Sequence, residues 1–329
     1  MYMGNDQISQ YAYTLLILFG AGIMYQRYQE KNNVDSDSYN YKLLQEYLLN
    51  DNSNNLGKSK KPVLWIHIPY EVNSRIWENF NSRNNKNLNI PYFYLTIKSI
   101  IENCSQSFNI CLIDDNSFSK LLNDLNIDFN KLAEPVKNKV RHLCFFKILY
   151  KYGGFFVPPS FVCNKNLKSL YDESIINNKP FVFEFYNNRN SFNVSEFFPN
   201  INMIGAPKKN DSILNCIHYL EKMISNDFTN ESVFLDNTNR FIYQEIINNK
   251  INYIEGTKIG TKTYDNKPIV LEELFNKNTN FSLPSHSYGI AIPHEELIKR
   301  HKYNWFVYLD VDAICDCDNF LCNLIKENI

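Results

Sequence analysis

Several side chains in this 329-residue sequence have the types and spacing that chemistry requires. Asp114-Asp115-Asn116 follows the apolar run Phe108 to Ile113. Carboxylates at the carboxyl end of a parallel strand lie where α/β folds bind ligands. Asp114 is open to two roles there: an acceptor for a ribose hydroxyl, or the cap of the helix that follows. His67 ends another apolar run, Val63 to Ile68, and either meets a ligand or points out of a strand. Lys208-Lys209 suits a phosphate or a solvated turn. Ser285-His286 places a hydroxyl beside a base, though in a turn of Ser, His, Tyr and Gly this is weak grounds for a nucleophile. Asp310-Val311-Asp312 has the spacing of a cation-binding carboxylate pair, but so near the end of the chain it reads better as a helix cap. Cys315, Cys317 and Cys322 suit a soft metal, yet no histidine or second cysteine pair accompanies them.

Composition narrows the classes. Hydrophobic residues make up 44% and aromatics 15%, enough for a substantial core. The net charge of -1 leaves no basic footprint for nucleic acid. The eight cysteines are scattered along a long chain and do not suggest a disulfide framework. Asparagine runs such as Asn52 to Asn55 read as the coding bias of an AT-rich genome.

The elements that must position these groups follow from periodicity. Val136, Val140, Leu143, Cys144, Ile148 and Tyr152 recur at helical spacing, so a helix is expected from Pro135 to Gly153. Glycine suits its end because it reaches the left-handed region without steric penalty. Gly154-Phe-Phe-Val reads as a buried strand. Strands are also expected at Val63 to Ile68, Phe108 to Ile113 and Phe181 to Tyr186. Helices are expected from Pro91 through Cys104, from Ser117 to Leu125 and from Ser212 to Ile224. Further helices are expected between Phe228 and Ile254, and strands and turns from Tyr264 to Pro293.

The amino-terminal region differs. Ala12 to Met24 is uncharged and largely apolar, and the uncharged run reaches the length of a bilayer span. Residues 1–31 are read as a tail with a transmembrane anchor over residues 8–26, a buried or interfacial helix being the alternative, and residues 32–61 as a polar stem. Residues 62–329 form the remaining α/β domain. Arg27, Lys31 and Lys42 follow the span and nothing basic precedes it, which puts the large carboxyl-terminal part in the cytosol.

The helix–Gly-Gly–strand unit resembles the heart of the glycosyltransferase-like families that include the capsular-polysaccharide-synthesis proteins and the DXD-bearing sugar transferases. Arg141, Leu149, Gly153, Gly154 and Phe156 fall on that pattern. The strand Trp65-Ile-His67-Ile-Pro69-Tyr70 and the block from Ser99 through Asn116 also resemble it, as does the strand–turn–helix beginning at Asn202. The resemblance implies a GT-A-like, Rossmann-type domain that moves sugar from a nucleotide-sugar donor to a glycan, protein or other hydroxyl acceptor. It implies donor contacts at His67, Asp114, Asp115, Asn138, Arg141, Gly154 and Ser160, with Lys208, Lys209 and His286 on the acceptor side. The departures fall at the metal site. The carboxylate before the arginine is replaced by Asn138, and the two metal carboxylates by Pro158 and Ser160. Proline offers no side-chain oxygen to a hard cation, so a divalent metal is not expected to be held there. Three functions follow: a transferase without a DXD metal, with Arg141 and Lys208 or Lys209 in place of the cation; an inactive transferase fold kept as a membrane-anchored structural or binding protein; or, ranked last, a different enzyme using Asp310, Asp312 and the cysteines that follow them.

Overall fold

The computed structural model describes residue 47 and residues 60–68, 90–125, 127–186, 197–226, 231–277 and 283–329. The chain divides into two units, Met1–Tyr47 and Leu48–Ile329, and the fold below belongs to the second. The expected anchor over residues 8–26 and nearly all of the stem lie outside the described residues. Among the described residues no helix is long and apolar enough to cross a membrane.

The fold is mixed α/β. Strand β1 (Val63–His67) leads to helix α1 (Tyr92–Cys104), strand β2 (Asn109–Ile113), helix α2 (Ser117–Leu121), helix α3 (Val136–Tyr152) and strand β3 (Gly154–Phe156). β1 pairs in parallel with β2 on one side and β3 on the other. Val63, Leu64, Trp65 and Ile66 are all buried, as expected of a central parallel strand covered on both faces. A short antiparallel pair joins β4 (Phe161–Cys163) to β8 (Gly289–Ala291). Between them come α4 (Lys168–Ser174), β5 (Phe181–Tyr186), β6 (Phe197–Ala206), α5 (Asp211–Asn226), α6 (Glu231–Ile247), β7 (Asn252–Ile254) and α7 (Leu271–Leu274). After β8 follow α8 (His294–Lys299), α9 (Val311–Asp316) and α10 (Phe320–Glu327). The main sheet has the order β2-β1-β3-β6-β5-β7.

The Gly-Gly corner is where α3 meets the sheet. Gly153 and Gly154 adopt φ of 71° and 106°. A Cβ on Gly154 would lie 2.3 Å from the Val63 carbonyl oxygen, so only glycine lets β3 approach β1 this closely. The buried Trp65 indole donates to the Gly153 carbonyl at 2.9 Å, tying the corner to the central strand.

Three expectations need correction. α3 is buried on more than one stripe: Lys139, Arg141, His142, Phe146 and Leu149 are buried as well, while Val136, assigned to the apolar face, is exposed. The helix expected from Ser117 to Leu125 ends at Leu121. The expected helices before Ile254 stop at Ile247, and Asn252–Ile254 pairs in parallel with β5 as an edge strand. Tertiary pairing overrides local pattern there. Asp310 caps α9, its carboxylate accepting from the Ala313 amide at 2.8 Å, as the cap reading expected.

Candidate functional site

The connections from β1 run first to β2 and then back across to β3, so the winding reverses between β1 and β3. Open α/β sheets bind ligands outside the carboxyl ends of their strands at such a reversal. A cleft of about 550 Å³ lies there. His67 from the end of β1, and Phe156 with Pro158, Pro159 and Ser160 from the end of β3, form its floor. One face of α3 forms a wall. Asn138, Arg141, His142 and Phe145 all line the cleft, and their spacing of three, four and seven residues places them on one side of a helix. Phe198, Asn200 and Asn202 from β6, and Asp236, Asn239 and Arg240 from α6, line it too, and the start of α8 closes it with His294 and Glu295.

Behind this wall Asp115 gathers charge. It accepts from Arg141 through Nε and Nη2, both at 2.8 Å, and lies 3.1 Å from His67 Nε2 and 3.4 Å from Lys137 Nζ. Arg141 Nη1 donates to Glu134 at 2.9 Å. Burial pushes the Asp115 carboxyl up, but hydrogen bonds from His67 and Arg141 outweigh it and hold the group well below the usual carboxylate range. Burial outweighs the pull of Asp115 on His67 and lowers its pKa, so that imidazole is neutral. Burial, with the charge of Arg141 nearby, brings His142 down to about 4. His142 Nδ1 is sealed from solvent without a hydrogen-bond partner among the described residues.

The Pro158-Pro159-Ser160 segment is a tight turn with Pro159 at a position that suits its fixed φ. Its carbonyls are already engaged. Pro158 O accepts from the Phe161 amide at 3.1 Å, Pro159 O from Thr96 Oγ1 and Ser160 O from the Ile292 amide at 3.1 Å. A hard divalent cation needs oxygen ligands. Here the turn presents no carboxylate, and its backbone oxygens are committed to α1, β4 and β8. The residues present do not fit a metal of the DXD kind. Among the described residues no three His, Cys, Asp or Glu side chains converge elsewhere as a metal site.

The residues singled out from the sequence are divided by the structure. His67, Asn138, Arg141 and Ser160 come together in the cleft. Asp115 stands just behind it, holding His67 and Arg141. Asp114 turns away and caps α2, accepting from the Ser117 amide at 2.8 Å and its hydroxyl at 2.6 Å. Gly154 opens β3 at the opposite end of the strand and packs on β1. Lys208 and Lys209 follow β6 beside Gly153 and line a separate hollow with Lys147 and Tyr150. His286 lies 3.1 Å from the Tyr264 hydroxyl at an exposed turn. Gly154, Lys208, Lys209 and His286 are not among the residues that line the cleft. Arg141 lines the cleft with three of its five N–H donors engaged by Asp115 and Glu134, so its charge is largely matched by those carboxylates.

Two histidines were overlooked. His142 shares the helical face of Asn138 and Phe145, a periodicity visible in the sequence. His294 carries no local signal; it reaches the cleft only because β8 pairs with β4.

The sequence matches no protein-family profile, and no curated protein matches it. Solved structures with some likeness include a glycosyltransferase involved in the glycosylation of the major capsid of PBCV-1, at 11% identity over 61% of this chain and 86% of that one, with a TM-score of 0.36. The apo-form glycosyltransferase GlyE of Streptococcus pneumoniae TIGR4 is 12% identical over 60% of this chain and 46% of its own, with a TM-score of 0.34. The 4-diphosphocytidyl-2C-methyl-D-erythritol synthase of Anaerococcus prevotii DSM 20548 is 10% identical over 66% of this chain and 93% of its own, at 0.31. Likeness at this level carries no argument about this chain's chemistry.

Proposed function

We propose that this protein is a glycosyltransferase-like sugar-binding domain that transfers sugar from a nucleotide sugar to a hydroxyl acceptor without a carboxylate-held metal. The observation that carries the reading is the cleft at the reversal between β1 and β3, walled by aromatic rings and asparagine amides. Rings offer flat apolar faces and amides offer paired donors and acceptors, a combination suited to a sugar. In the transfer, the acceptor oxygen forms a bond to the anomeric carbon while the bond from that carbon to the phosphate oxygen breaks. The nucleoside diphosphate leaves with the electron pair, and the acceptor proton passes to a carboxylate. Asp236 and Glu295 are carboxylates on the cleft wall, and Arg240 and Lys299 are its cations besides the committed Arg141.

The test is calorimetry of the full-length chain with a panel of nucleotide sugars, in Mn²⁺ and again in EDTA. Binding of the same strength in both supports the proposal. Binding that requires Mn²⁺ overturns its metal-free form.

The closed turn at Pro158-Pro159-Ser160 and the committed Arg141 favour a second reading, in which the fold binds glycans without catalysis. Binding of free glycans with no turnover of any nucleotide sugar would establish it. The apolar run over residues 8–26 completes the proposal as a membrane anchor, with the carboxyl-terminal domain in the cytosol. Protease digestion of sealed vesicles tests that orientation.

A further inference from the structure

We infer that His294 is a hydrogen-bond donor of fixed tautomer, set by Tyr92, that presents its Nε2–H to a neutral oxygen of the ligand, a sugar hydroxyl. The inference rests on the reading of the cleft as a sugar site.

Tyr92 lies in the first turn of α1 and is wholly buried. Its hydroxyl has one partner among the described residues, His294 Nδ1, at 2.6 Å. A buried hydroxyl that only accepted would leave its own proton without a partner, at a cost of about 1–3 kcal/mol. Burial also raises the phenol pKa well above its ordinary value, so the proton stays on the oxygen. Tyr92 therefore donates, and Nδ1 accepts with its lone pair. Burial brings His294 down to about 4, so the ring is neutral at pH 7 and its single proton sits on Nε2. That nitrogen has no partner among the described residues, and His294 lines the cleft.

The ring is also held in place. It packs 4.7 Å from the Phe93 ring and 5.8 Å from that of Tyr92, centroid to centroid. Its amide donates to the Ile292 carbonyl at 2.8 Å, while the Ile292 amide holds Ser160. One helical turn beyond Tyr92, Thr96 donates to Pro159. A single face of α1 thus supports both the cleft floor and the histidine facing it.

The charge nearby selects the acceptor. Glu295 and Glu296 follow His294 directly. Lys299 pairs with Glu295 at 3.7 Å, and Arg300 with Glu296 at 2.7 Å. The neighbouring cations are thus matched by carboxylates. A neutral donor beside them suits a hydroxyl oxygen better than a phosphate.

Two measurements on the full-length chain test this. Nitrogen-15 spectra of the histidine rings report the tautomer without any ligand. Nε2–H at His294 is expected at pH 7, with loss of that preference in Tyr92→Phe. Nδ1–H or an imidazolium in the wild type would overturn the assignment. Calorimetry with the nucleotide-sugar panel and with methyl glycosides reads the ligand contact. His294→Ala should weaken binding roughly 5- to 10-fold, the range of one neutral hydrogen bond. His294→Gln, which keeps an N–H near Nε2, should recover most of it. Tyr92→Phe should weaken binding about 2-fold alone and not at all when added to His294→Ala, with thermal stability followed in parallel. Wild-type binding that His294→Ala leaves unchanged overturns this inference alone. A folded wild type that binds no probe overturns it together with the sugar-site reading beneath it.

Discussion

Arg141 grips Asp115 through two hydrogen bonds of equal length, Nε to Oδ1 and Nη2 to Oδ2, each 2.8 Å. The pair joins α3 to the end of β2, and both partners are largely shielded, with side-chain exposures of 8% and 13%. Bidentate geometry of this kind is the strongest a guanidinium and a carboxylate make. It also bears on what Arg141 does, because a group so held fixes the cleft wall in place, with three of its five N–H donors already engaged.

Arg141→Ala should therefore act on stability first. Removing the guanidinium leaves the shielded carboxylate with Lys137 and His67 as its partners, so a loss of about 2–3 kcal/mol, below that of a fully unpaired buried charge, is expected. Arg141→Lys should recover only part, since an ammonium cannot reproduce the fork. Urea denaturation reads both. A variant that keeps wild-type stability but loses ligand binding would return Arg141 to the ligand.

Stability should fall with acid in two windows. His142 and His294 are held near 4 in the fold, against about 6.5 unfolded. The native state then binds fewer protons, so their contribution is complete above pH 6.5 and lost as pH falls towards 4. Each should add a slope of about 1.4 kcal/mol per pH unit inside that window. Asp115 is depressed in the fold, so its contribution is present above about pH 4 and lost as pH falls below. Denaturation midpoints from pH 7 to pH 3 measure both. His142→Phe should remove its share of the upper slope, keep that of His294, and leave the lower window unchanged.

Gly154→Ala should be among the most damaging single changes. The new methyl would meet the Val63 carbonyl oxygen at 2.3 Å, on a backbone with φ of 106°. Backbone strain and collision together should exceed about 3 kcal/mol. Calorimetric melting shows it, and a wild-type melting temperature would mean that β1 and β3 are not so closely apposed.

A second buried charge pair holds the far side of the sheet. Glu184 on β5 accepts from the Tyr253 hydroxyl and the Gly256 amide, each at 2.9 Å, and pairs with buried Lys262 at 2.6 Å. Glu184→Gln leaves that lysine without its counter-charge and should cost roughly 3 kcal/mol. Glu184→Gln with Lys262→Met should recover much of the loss, measured by the same urea series.

Elements whose reasons are local could be read along the chain. The α3 boundaries follow from apolar spacing and from Pro135 and Gly153, the β5 limits from a run of apolar residues, and the Asp310 cap from its place before a helix. The sequence also showed that Pro158 and Ser160 cannot supply carboxylates, because side-chain chemistry needs no coordinates. Which of the chemical side chains meet depends on the folded chain. Lys208 and Lys209 are chemically apt for a phosphate, but β6 runs antiparallel to β3 and delivers them to the wrong end of the sheet. Arg141 matches its expected position, yet Asp115 and Glu134 engage three of its five N–H donors. His294 has no signal near it in the chain and enters the cleft through the pairing of β8 with β4. Periodicity and capping act over a few residues and can be read along the chain. Pairing of distant strands and competition among charges act through space, and the folded chain alone settles them.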